Sequence, residues 1–207
     1  MNKKKILVLA VSVCLVAILA IGGTLAYFTD DDKVENTFTM GGVEIDLFET
    51  DEDGEKEQSG LTYAGVVPGF DYDKDPTVEN IGSLDAWVRV NVTLNNYSIF
   101  AAAAEAHNVT DLATIFADFA DSKWTLAKAP VVDSTADTVT YSYYYNTVLA
   151  PDTSTGPLFT SVTIPAAFTS EDLENLTGFK ITVTADAIQR DPFTTPAAAF
   201  TAFDAAA

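Results

Sequence analysis

The chain of 207 residues has one cysteine, one histidine and 11 basic residues against 30 acidic ones. The cysteine, Cys14, lies in an apolar run near the start, so a chain cut after Ala26 has none. Disulfides, thiol catalysis and cysteine metal sites are then excluded. The lone His107 cannot hold a metal without carboxylate help, and there is no H-E-x-x-H. No G-x-S-x-G, phosphate loop or Cys–His pair is present. A net charge of −19 argues against nucleic acid, whose phosphates would repel the chain. It reads instead as a solvated acidic surface.

Long apolar runs are also scarce. The exception is Ile6–Ile21, apolar apart from Ser12 and Cys14, preceded by Lys3, Lys4 and Lys5 and followed by Gly22-Gly23-Thr24-Leu25-Ala26. Basic start, apolar stretch and small residues are the order of a secretory signal peptide. The run is short for a span, which needs about 20 residues. The expected signal peptide is 1–26, with cleavage between Ala26 and Tyr27. Losing its three lysines makes the remainder still more acidic. That remainder is long enough for one well-buried domain.

Phe, Tyr, Thr and Val are abundant, as strands require. Residues 27–42 form an extended N-terminal segment, and 43–190 a β-sandwich with a helical insertion at about 97–120. Val43, Ile45 and Leu47 alternate with polar residues. Leu61–Val67, Thr77–Glu79, Lys123–Lys128, Thr138–Asn146, Leu158–Ile164 and Phe179–Gln189 are further expected strands. Ala86–Leu94 is the clearest, with Val88, Val90, Val92 and Leu94 on one face and Trp87, Arg89, Asn91 and Thr93 on the other. Arg89 is expected to pair with a local acid. Tyr141, Tyr143 and Tyr145 form a row expected at a core edge rather than on an adhesive surface.

Spacings of three and four through Leu112, Ile115 and Phe116 mark helix, with a start at Asp111. A short helix opens at Ser170 and closes at Gly178, while Val148–Pro157 reads as loop. The tail 191–207 has a helix start at Thr195-Pro196 and either docks or stays loose. The acidic loop Asp51–Gly60 and the triplet Asp71, Asp73, Asp75 suggest calcium. Pro76 and Gly82 stand where a calcium loop needs glycine and glutamate, which favours solvated acids. The fold class is mainly β; strand pattern alone leaves jelly-roll and immunoglobulin-like orders open.

Three blocks carry a resemblance. They are GGTLAYFTD followed by Asn36-Thr37-Phe38-Thr39-Met40-Gly41; Pro68-Gly69 with Val78–Ala86; and Ala185–Gln189. Together they resemble the TasA/camelysin family, secreted proteins of Gram-positive bacteria cut by a SipW-type signal peptidase. The resemblance implies a jelly-roll-like antiparallel β-sandwich with a helical insertion and short flanking helices. It implies a subunit of extracellular biofilm-matrix fibres and contact with the membrane only before processing. Its partners would be further copies of itself, head to tail, and an accessory matrix protein. Camelysin is described as a metalloprotease, but this sequence offers no recognisable zinc ligands, and no enzyme, cofactor or metal is expected. Cleavage would free a donor strand in which Tyr27, Phe28, Val34 and Phe38 fill pockets on a neighbour. The alternative is a monomeric cell-surface binding or adhesin domain, or an accessory matrix protein.

Overall fold

The computed structural model describes residues 42–51, 53–58, 60, 63, 65–117, 119–120 and 122–206. The signal segment, the cleavage pair Ala26 and Tyr27, and the donor residues Tyr27, Phe28, Val34 and Phe38 lie outside them. In chain order the strands are β1 (Ile45–Thr50), β2 (Lys56–Glu57), β3 (Asp71–Asp73), β4 (Thr77–Asn80) and β5 (Ala86–Asn95). Helix α1 (Tyr97–Ala106) and a 3-10 turn, Leu112–Ile115, follow. Then come β6 (Phe116–Ala117), β7 (Trp124–Leu126), β8 (Val131–Asp133), β9 (Thr138–Tyr145), β10 (Thr153–Pro157) and β11 (Ser161–Thr163). Helix α2 (Ser170–Asn175), β12 (Ile181–Gln189) and α3 (Pro196–Ala206) complete the chain. The fold is mainly β, with antiparallel sheets and few helices.

β5 is the centre. Its alternation puts Val88, Val90, Val92 and Leu94 at 0 % exposure. It pairs with β12 from Leu94↔Ile181 to Ala86↔Gln189 and with β9 from Asn95↔Thr138 to Arg89↔Tyr144. The largest sheet runs β12-β5-β9-β7, with β8 also on β9. A second runs β10-β4-β1-β2, and a third β3-β11-β6. Val78 of β4 and Val162 of β11 share one apolar cluster with the β5 valines, Phe100 of α1, Leu158 and Phe159. At about 25 cal/mol per Å² of apolar surface removed from water, this cluster is the main source of stability.

The tyrosine row belongs to that core. Tyr141 and Tyr143 are buried, and burial pushes both phenols up to about 12. Tyr145 packs at 5.1 Å from Trp124.

The insertion divides. Ala101–Ala104 supply good helix formers to α1, whereas the carboxylate of Asp111 accepts from Ala113 N–H at 2.9 Å and starts only a 3-10 turn. Phe116, expected in helix, enters β6 because it pairs with Val162. Among its described residues, Leu61–Val67 holds no strand. The expected loop Val148–Pro157 instead contains β10, an edge strand that tolerates Pro157 and shifts register between Ser154 and Pro157. The hydroxyl of Thr155 there accepts from Val78 N–H at 3.1 Å.

The tail docks. Pro196 begins α3, whose Phe200 is fully buried with Trp87 on the outer face of β5 and stacks on Tyr144 at 5.5 Å.

Candidate functional site

The block Asn80-Ile81-Gly82-Ser83 forms a clamp. Asn80 is fully buried: its amide donates to Leu84 O at 2.8 Å and Leu149 O at 2.9 Å, and its Oδ1 accepts from Gly82 N–H at 3.0 Å. Ile81 and Gly82 N–H both donate to Glu44 O, and Ser83 N–H to Gly42 O, each at 3.0 Å. Gly42 N–H returns a bond to Ser83 Oγ at 3.1 Å. A Cβ on Gly82 would lie 2.6 Å from Glu44 N and Gly42 O, so only glycine admits this approach. The clamp therefore fixes the chain where the N-terminal segment joins the domain.

The other half of the site is a groove of about 620 Å³ between the edges of two sheets. On one side stands β1. Its partner β2 pairs only with Glu49 and Thr50, which leaves the edge of Ile45–Phe48 without a strand among the described residues. On the other side stands β12, which pairs with β5 alone among the described residues. Phe179–Val183 line the groove. There Ile181 and Val183 are only half-buried, although their partners Leu94 and Val92 are at 0 % exposure. Among the described residues, the core is thus closed on the β9 side of β5 and less covered on the β12 side.

The groove wall carries one buried charge pair. Glu49 continues the inward parity of Ile45 and Leu47, and its side chain is 7 % exposed. Lys74 Nζ lies 2.5 Å from Glu49 Oε1, while Glu49 Oε2 is buried without a hydrogen-bond partner among the described residues. Leaving such an oxygen without a donor costs about 1–3 kcal/mol. Near the mouth, Tyr72 lies 5.1 Å from Tyr63 and 5.2 Å from exposed Phe70.

Residues 1–120 match the model of a family described as camelysin metallo-endopeptidase. The chain belongs to that family. Membership agrees with the TasA/camelysin resemblance and supports a related extracellular protein. Nothing among curated proteins or solved structures matches the chain.

The camelysin description implies a catalytic metal, and the described residues do not fit one. Among them no three His, Cys, Asp or Glu side chains come together to hold an ion. His107 closes α1, its Nε2 lies 2.9 Å from Asp172 Oδ2, and its ring packs 5.8 Å from Phe168. Asp172 is itself committed. It forms a capping box with Thr169, whose hydroxyl and N–H hold its carboxyl below the usual range, with a further contribution from His107. Asp71 and Asp73 sit on β3, where Asp71 pairs with the hydroxyl of Thr163, and Asp75 accepts from Thr50 N–H at 2.7 Å.

Arg89 pairs with acids, as expected, but they are 97 and 115 residues away: Asp186 across the sheet and Asp204 on α3. Among the described residues no helix is long and apolar enough to cross a membrane. The sequence reading missed Glu49 and Lys74. The alternation through Val43, Ile45 and Leu47, carried on by two residues, puts Glu49 inward, which was the available signal.

Proposed function

We propose that this camelysin-family chain is a secreted structural subunit of extracellular biofilm-matrix fibres in a Gram-positive bacterium. In this reading a SipW-type signal peptidase cuts between Ala26 and Tyr27. The freed N-terminal segment of one subunit then enters the groove of the next. The observation that carries the reading is the paired free edges of β1 and β12 beside half-buried Ile181 and Val183. An inserted strand adds main-chain hydrogen bonds along an edge and closes the core with its own side chains. Of the donor residues Tyr27, Phe28, Val34 and Phe38, the last three share one strand face and would each contribute about 1.5–3 kcal/mol if fully buried, while Tyr27 ends the segment on the other face. Donation from one copy to the next does not close into a ring unless the rotation allows it, so it builds filaments.

The role is structural rather than catalytic: the whole chain has a single histidine, and it is engaged with Asp172. The jelly-roll order implied by the resemblance belongs with this reading, since insertion needs two sheets that part along one side. An accessory matrix protein remains a further partner within it.

Chains beginning at Tyr27 and at Gly42, imaged by negative-stain electron microscopy at matched concentration, test the proposal. Fibres from the first and folded monomers from the second are expected. Fibres from both would sink strand donation. Monomers from both would favour a cell-surface binding domain instead.

A further inference from the structure

The groove is lined by apolar and polar side chains together, and Glu49 and Lys74 form a buried charge pair in its wall. Glu49 Oε2 needs a donor that the described residues do not supply. Lys74 Nζ has one carboxylate partner and further N–H groups to give. A group that donates and accepts together would complete both.

The N-terminal segment contains one such group in the right phase. At strand period, Phe28, Asp30, Asp32, Val34, Phe38 and Met40 share a face, and Asn36 lies between Val34 and Phe38 on its apolar half. Tyr27, Lys33, Glu35 and Thr37 lie on the other face. We infer that Asn36 of a neighbouring subunit seats against Glu49 and Lys74, and that this contact sets the register of the donated strand. The inference rests on the strand-donation reading above. The amide NH₂ donates to Glu49 Oε2, and the amide oxygen accepts from Lys74 Nζ. A slip of one residue turns the apolar face outward. A slip of two puts Val34 or Phe38 against the charge pair and leaves the carboxylate oxygen bare.

Chain order agrees. The segment leaves its own domain at the clamp, beside Ile45, whereas Glu49 stands at the far end of β1. In a head-to-tail stack the clamp end of one subunit faces the Glu49 end of the next. Asn36 is six residues from Gly42, a reach of about 20 Å when extended. The part of the segment nearest the junction therefore meets the charge pair, and Tyr27 and Phe28 run deeper. This direction is antiparallel to β12, the same pairing that β12 already makes with β5.

Disulfide mapping in fibres tests the contact. The full chain is secreted and processed with Cys14→Ser, and Glu49→Cys is combined in turn with Asn36→Cys, Val34→Cys or Phe38→Cys. Mild oxidation with diamide and a non-reducing gel then read the links. The Asn36 pair is expected to give a ladder of linked oligomers at least tenfold stronger than the other two. A ladder strongest from Val34 or Phe38 would overturn the register while leaving strand donation intact. Linked monomers only would mean that each chain fills its own groove, and would overturn both. Fibres without links from any pair would also overturn both. Circular dichroism checks folding; should Glu49→Cys not fold, Asn36→Asp and Asn36→Asp/Glu49→Gln put the same question. The first should raise the concentration needed for fibres at least tenfold, and the second should restore it. Failure to restore would overturn the contact.

Discussion

Arg89 and Glu49 are both charged side chains withdrawn from water beside strands of the same domain, and their surroundings differ. Arg89 donates from Nε and Nη2 to Asp186 and from Nη1 to both oxygens of Asp204, at 2.9–3.0 Å. Its guanidinium also lies 4.6 Å from the Phe200 ring. Burial pulls its pKa down, but the bonds and charges of the two aspartates outweigh this and hold it above the ordinary value. Glu49 has one oxygen on Lys74, and its other oxygen has no hydrogen-bond partner among the described residues. The outer face of β5 is closed by the chain's own C-terminal helix. Among the described residues, no strand covers the side of the core between β1 and β12. The strand-donation proposal places its partner at the second of these two sites.

The contrast can be broken from the closed side. Phe200→Ala should destabilise the folded subunit by about 3–5 kcal/mol, because a fully buried ring leaves a cavity that also undermines Trp87. Urea denaturation reads this, and fibre formation by the still-folded fraction should persist, since the groove is untouched. Loss of fibres from folded protein would link the two sides.

A smaller effect separates the two charged sites directly. Arg89→Met should cost about 1–3 kcal/mol, moderated because Asp204 is half exposed. The double change Glu49→Met with Lys74→Met should be neutral in the free subunit, or stabilising by up to about 4 kcal/mol, as replacing a buried pair often is. Equal losses at both sites would erase the distinction.

The smallest effect concerns the core face of β9. Of the eight tyrosines, Tyr141 and Tyr143 should ionise only near pH about 12 in the folded protein. The unfolded chain releases these protons at about pH 10, so stability should fall as pH rises past 10. Ultraviolet absorbance through an alkaline titration checks it; a single transition near 10 in folded protein would place both rings outside the core.

Much of the fold could be read before any coordinates. β5 and β12 are long and alternate strictly, so their faces followed from period alone. The short helix α2 was legible from its start and from Gly178, with the cap one residue earlier, at Thr169. β10 and β8 were not legible, because three to five residues carry too little pattern; their pairing with β4 and β9 decides them. The block Asn80–Ser83 was visible as a motif but not as a clamp, since its partners Gly42, Glu44 and Leu149 meet it only in the folded chain. Lys74 could not be assigned to Glu49, 25 residues away, without the packing of β1 beside the turn after β3. The donor residues Tyr27, Phe28, Val34 and Phe38 lie outside the described residues and stay part of the proposal.

The central claim is that the free edge of β12 receives a strand, and amide hydrogen exchange along Ile181–Gln189 tests it most directly. Alternate amides of this strand, those not paired with β5, should exchange quickly in the monomer that begins at Gly42. In assembled fibres of the processed chain the same amides should become protected by at least a hundredfold, about 2.7 kcal/mol. Protection unchanged between monomer and fibre would contradict the account.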